Sequence, residues 1–171
     1  VVLFINHANA DAAIETAAQP APVHGRVMAI VHTAIYDAVN GIKHKYAPYF
    51  VTERGPRGAS AEAAAAQAGY ATLLALFPAQ KATFDAELAA ALAKIHGSDR
   101  RIARGLDWGD YVAQQILDWR SHDGFSTPPP PYFGGTDPGV WRSPPVGSNA
   151  DGTLPALFPQ NAVLVPFAMT S

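Results

Sequence analysis

The feature that most constrains the fold is a change of composition near residue 123. Up to about Asp123 the sequence is rich in Ala, and apolar side chains recur every three or four residues, as on one face of an α-helix. From Gly124 to Ser171 a Pro or a Gly occurs every few positions, which interrupts any regular element. The sequence therefore predicts a helical domain over 1–123 and an extended Pro/Gly-rich segment over 124–171.

Five helices are predicted in the first part, over about 9–18, 23–40, 60–77, 79–94 and 98–121. The second has the clearest period, with apolar side chains at Val27, Ile30, Val31, Ala34, Ile35, Ala38 and Val39. Asn40-Gly41 is expected to end it, and Ser60 is expected to cap the third helix. No strand-pairing pattern occurs, so the predicted class is all-α, a bundle of about five helices.

The segment 124–171 is too apolar for a disordered linker. Its large apolar side chains are Phe125, Tyr132, Phe133, Trp141, Leu154, Leu157, Phe158, Val163, Leu164, Val165 and Phe167. Disordered segments are poor in such residues. We therefore expect this segment to lie packed over a surface as a strap.

Charge and composition exclude several classes of partner. Twelve Lys and Arg stand against 14 Asp and Glu, so no basic field favours nucleic acid. The longest apolar stretches are far shorter than the roughly 20 residues of a membrane span. Cysteine is absent, which excludes disulfides and thiolate metal sites. Because 49% of the residues are hydrophobic and only 15% charged, we expect something else to cover part of the surface.

One group of polar residues lies inside the apolar second helix. His32 and Tyr36 are four residues apart, and Asp37 adjoins them. Polar groups in such a position need partners. In one interpretation they approach a neighbouring site or anchor a small molecule. In the other they bond to loops or to Arg26 and fix the packing of the helix, and this structural interpretation is favoured.

No catalytic, cofactor-binding or metal-binding residue is predicted. The six His lack the three- or four-residue spacing of a helical metal site, and no phosphate loop or nucleophile elbow occurs. Asp107 and Asp110 resemble paired carboxylates, but their spacing on an Arg-containing helix fits solvated or ion-paired groups better.

Five segments together resemble a known family. They are GRVMAIVHTAIYDAVNGI (25–42), ASAEAAAAQAGYATLLALFPAQ (59–80), FDAELAAALAKI (84–95), WGDYVAQQILDWRSHDGF (108–125) and the strap YFGG…PGVWRSPP…LFPQNAVLVPFAMTS. In this order they resemble the N-terminal region of bacterial vanadium-dependent haloperoxidase-like proteins, relatives of the type 2 phosphatidic acid phosphatases.

The resemblance implies chemistry whose residues this sequence lacks. In that superfamily a Lys, two Arg, a Ser and a Gly hold vanadate or phosphate, one His binds the vanadium or attacks the phosphorus, and another His does acid/base work. These residues lie in the motifs K-x6-R-P, P-S-G-H and S-R-x5-H. None of the three motifs occurs here. The resemblance therefore implies a helical scaffold portion that is inactive alone, whose partner is a C-terminal catalytic bundle outside this chain. It also favours a periplasmic or secreted location.

An alternative reading has no catalysis at all. The Ala-rich helix faces would suit a self-sufficient interaction module that forms a homodimer or holds a partner helix. The two readings differ in whether a catalytic bundle belongs to the same protein.

Overall fold

A computed structural model describes residues 2–127, 129–143 and 154–168 of the protein. The chain divides into two compact units, residues 1–120 and 121–171. In the described residues the helices are α1 (Val2–Thr16), α2 (Ala21–Lys43), α3 (Ala61–Leu76), α4 (Lys81–Leu92) and α5 (Asp99–Ser121). The same residues contain no β-strand, so the predicted all-α class is confirmed.

Helix α3 lies at the centre of the first unit. It packs against α1, α2 and α4, and its N-terminal half is buried on nearly every side. Its small side chains let the neighbouring helices approach closely. Ser60 caps it as predicted, because the Ser60 hydroxyl accepts a hydrogen bond from the backbone N–H of Ala63 at 3.2 Å.

The buried face of α3 changes along the helix. Ala64 and Ala68 are fully buried, whereas in the C-terminal half Ala75 is exposed and Thr72 is fully buried. The Thr72 hydroxyl donates to a backbone carbonyl of the preceding turn, with Ala68 O at 2.8 Å and Gly69 O at 3.0 Å. This bond allows a polar side chain to stand in the core.

Helix α2 does not end at Asn40-Gly41, so that prediction is wrong. It continues to Lys43, and His44 adopts the left-handed conformation that ends it. Gly41 is required there for space, because a Cβ at this position would lie 2.6 Å from the Trp108 ring. The Trp108 indole N–H donates to the carbonyl of Ala38 at 2.9 Å, which fixes α5 against α2.

Helices α3 and α5 touch through their backbones. A Cβ on Gly105 would collide with the carbonyl oxygen of Ser60, and one on Gly109 with the carbonyl oxygen of Ala64. The backbone N–H of Ser60 also donates to the carbonyl of Arg101 at 2.9 Å. We call this contact the glycine seam.

Other helix bounds differ from prediction near the helix ends. Helix α1 begins at Val2, well before residue 9, since residues 2–8 contain no Pro or Gly to interrupt it. The segment 79–94 divides into a 3₁₀ turn, Pro78–Gln80, and α4, which ends at Leu92. Pro78 favours the tight turn because its φ is fixed and it has no N–H to donate.

The second unit is irregular in its described part. A single antiparallel bridge joins Gly134 and Arg142, and a 3₁₀ turn spans Pro159–Ala162. Asp123 connects the ends of the unit: its side chain accepts from Phe125 N at 2.9 Å and its carbonyl from Val165 N at 2.9 Å. Within the predicted strap, residues 128, 144–153 and 169–171 lie outside the described residues.

Candidate functional site

The Asp37 carboxylate is buried and holds a loop. Its Oδ1 accepts a hydrogen bond from Tyr49 N at 2.7 Å, and its Oδ2 accepts from Phe50 N and Val51 N, both at 2.8 Å. Only 1% of Asp37 is exposed to solvent. A carboxylate with three backbone donors directed at it is fixed in place and acts as a structural acceptor.

Two more side chains of α2 hold the same loop, residues 44–60. The Tyr36 hydroxyl donates to the carbonyl of Ala47 at 2.8 Å. The Asn40 amide donates to the carbonyl of Tyr46 at 2.7 Å and accepts from the backbone N–H of Tyr46 at 2.9 Å. Tyr36, Asp37 and Asn40 thus form a row of hydrogen bonds from their side chains to the backbone of residues 44–60. We call these three residues and their bonds the loop anchor.

Asn40 belongs to the loop anchor, although the sequence pattern does not single it out as a site residue. The signal was present, because Asn40 is a buried polar residue three positions after Asp37 on an otherwise apolar helix. Because Gly follows it, the sequence pattern instead predicts that Asn40 is part of a helix stop. The spacing of three residues on a helix places both side chains on one side, where one loop can contact them.

His32 and Tyr36 also face a groove, whereas Asp37 does not. The groove has a volume of about 370 Å³ and is lined by His32, Ile35, Tyr36, Val39, Asn40, Lys43, Lys45 and Tyr46. The structure therefore divides the three residues singled out in the sequence. Asp37 belongs to the loop anchor alone, His32 lines the groove, and Tyr36 belongs to both.

Other candidate polar residues occupy structural positions. Asp110 accepts from the side-chain amides of Gln114 at 2.6 Å and Gln67 at 3.4 Å. Arg26 donates to the carbonyl of Arg120 at 2.9 Å. Across residues 2–127, 129–143 and 154–168, no three His, Asp or Glu side chains are placed so that they could hold a metal ion.

An exposed charged network joins α3 and α4. Asp85 accepts from the Tyr70 hydroxyl at 2.7 Å and pairs with Lys81 at 2.6 Å. The Lys81 ammonium and the Tyr70 hydroxyl lower the pKa of Asp85, and the bond to Asp85 raises the pKa of both Tyr70 and Lys81. Because solvent screens this network, it contributes little to stability. It links two helices at the surface.

No protein-family model, curated protein or solved structure matches this chain. In the part of the chain that the structure describes, none of the helices has the combination of length and apolarity that crossing a membrane requires.

Proposed function

We propose that this chain is a non-catalytic helical scaffold, the N-terminal portion of a vanadium haloperoxidase-like or acid phosphatase-like protein. The resemblance of five consecutive segments to that family suggests the relationship. The helical class of the first unit is compatible with it. In this proposal the chemistry belongs to a C-terminal catalytic bundle, and this chain supplies a rigid support for it.

The loop anchor is the observation that carries the scaffold role. The Asp37 carboxylate would be the natural general base of the cluster, yet both its oxygens already accept backbone N–H groups. Because these bonds occupy the carboxylate and hold the loop, the arrangement serves rigidity.

The residues of α2 do not fit vanadate or phosphate. An oxyanion site needs several cationic or N–H donors directed at one point. Here the two lysines of the groove are exposed, and Lys45 Nζ lies 5.3 Å from the centre of the Tyr46 ring. The rest of the lining is mostly apolar, so we derive no reaction step through either anion in this chain.

Two measurements test the proposal. The pure 171-residue chain, given vanadate, peroxide and bromide, or given p-nitrophenyl phosphate, is expected to show only the background rate of a heat-denatured sample. Sustained turnover would refute the non-catalytic role. The intact mass of the protein from its source, measured under denaturing conditions, should exceed 18.0 kDa if a catalytic bundle belongs to it.

A second candidate, an interaction module, is favoured by an exposed aromatic group. Tyr46, Tyr49 and Phe50 are each at least 40% exposed, and the Phe50 ring stacks on Trp119 with centroids 4.4 Å apart. Exposed aromatic side chains are enriched where proteins meet partners. If the chain forms a homodimer through them, Phe50→Ser should make it monomeric in sedimentation equilibrium, whereas the scaffold role predicts no change.

A further inference from the structure

Two grooves of similar size lie on the helical unit, and their linings differ in charge. The groove beside α1 and α4 has a volume of about 320 Å³, and no charged residue lines it. The groove beside α2 has about 370 Å³ and includes two lysines. Both volumes lie within the range of about 300–1,000 Å³ typical of small-molecule sites, but only the second combines apolar walls with charge.

The α2 groove is formed by one face of the helix. His32, Tyr36, Val39 and Lys43 follow at steps of three and four residues, so they line the groove along the helix axis. Ile35 is 1% exposed and forms its apolar floor together with Val39.

The walls of the groove are held in place before any ligand arrives. The Tyr36 hydroxyl is bonded to the carbonyl of Ala47, and the backbone of Tyr46 is bonded in both directions to the Asn40 side chain. The Tyr36 side chain and the Tyr46 backbone are therefore held at fixed positions beside the apolar floor. Such preorganisation lowers the entropy lost when a ligand binds.

The C-terminal end of the groove is positively charged. Lys43 and Lys45 are two residues apart there, where α2 ends. The pKa of the Glu62 carboxyl is lowered first by its backbone N–H and by the Ser60 hydroxyl, and the Lys43 ammonium adds a smaller effect, so one carboxylate also lies near this lysine. Lys45 stands over the Tyr46 ring, 5.3 Å from its centre, so its charge is held at the groove wall.

We propose that this groove binds a small, mostly apolar molecule that carries one carboxylate. The apolar part would lie on Ile35 and Val39 between Tyr36 and Tyr46, and the carboxylate would meet Lys43 and Lys45. This site is independent of the proposed scaffold role, since it needs neither a catalytic bundle nor an oxyanion cage.

Binding of 4-phenylbutyrate and of the neutral 4-phenylbutanol, followed by amide chemical shifts, tests the site. The acid should bind saturably, shift the amides around Val39 and Tyr46, and bind at least about fivefold more tightly than the alcohol. Absence of saturable binding at about 10 mM acid, or equal binding of acid and alcohol, would overturn the proposal.

Two pairs of variants locate the site. Lys43→Ala with Lys45→Ala should remove the preference for the acid, whereas alanine at Lys81 and Lys94, the other two lysines of the chain, should leave it unchanged. Val39→Trp should fill the groove and abolish binding, whereas Ala75→Trp, on the exposed part of α3, should not. Thermal melting checks that each variant is folded, and binding of the acid that survives in folded Val39→Trp would contradict the assignment.

Discussion

At the glycine seam, α3 and α5 touch backbone to backbone through Gly105 and Gly109, whereas at the loop anchor α2 holds residues 44–60 through polar side chains. The seam depends on the absence of side chains, so it tolerates no added volume. The loop anchor depends on side-chain oxygens that accept hydrogen bonds from backbone N–H groups of the loop, so removing one of these acceptors should destabilise the protein. The two contacts therefore respond to opposite kinds of substitution.

The largest effect is expected at the seam. Gly109→Ala places a Cβ against the carbonyl oxygen of Ala64, and because the obstacle is backbone, a helix must move. We expect a loss of about 3 kcal/mol in the free energy of unfolding, measured with urea.

Gly25 in α2 provides the matched control for this substitution. A Cβ there meets nothing within 4 Å, so Gly25→Ala should stabilise the protein by about 0.5–1 kcal/mol through helix propensity. If the two variants have the same stability, the close approach at the seam does not exist.

At the anchor, Asp37→Asn keeps the shape of the side chain but turns an NH₂ group toward backbone donors. We expect a loss of about 2 kcal/mol in unfolding free energy, because at least one buried N–H is left without an acceptor. Tyr36→Phe removes only one bond, at an exposed side chain, and should cost less than about 1 kcal/mol. A harmless Asp37→Asn would mean that the loop does not depend on the carboxylate.

A smaller effect is expected at the start of α3, next to the seam. Ser60→Ala removes the hydroxyl that accepts from Ala63 N and should cost about 1 kcal/mol of unfolding free energy. Ser60→Thr keeps an acceptor and should restore most of this loss. If Ser60→Thr is no better than Ser60→Ala, the hydroxyl is not the stabilising group.

The smallest effect is a pH dependence at the same helix start. The backbone N–H of Glu62 and the Ser60 hydroxyl lower the pKa of the Glu62 carboxyl below its ordinary 4.5. The contribution is therefore complete above pH 4.5 and is lost as the pH falls through the lower folded value. Because the carboxylate is largely exposed, the stability difference between wild type and Glu62→Gln should stay below about 1 kcal/mol and shrink below pH 4.5. A stability difference that grows as the pH falls would contradict a lowered pKa for the Glu62 carboxyl.

The helices themselves were predictable because each depends on a local pattern. The period of Val27, Ile30 and Val31 places α2, and Ser60 before an Ala run places the start of α3. The end of α2 was not predictable, since Gly41 is there for the Trp108 ring, which is distant in the sequence. A Gly that stops a helix and a Gly that admits a neighbour look alike in a sequence.

The polar residues of the candidate site show the same limit. Their presence in an apolar helix indicated that His32, Tyr36 and Asp37 need partners. Which partner each one takes depends on the path of residues 44–60, which contain no regular element. The sequence could not show that adjacent Tyr36 and Asp37 hold different backbone groups, or that Lys43 and Lys45 border one groove.

The loop anchor is tested most directly by amide hydrogen exchange at Tyr49, Phe50 and Val51. These three N–H groups lie in an irregular loop and are bonded to Asp37. In the wild type they should be protected although they are in no helix, and in Asp37→Asn their exchange should rise at least about tenfold while the centre of α2 stays protected. Fast exchange of these amides in the wild-type protein would contradict the anchor, and with it the observation that carries the scaffold proposal.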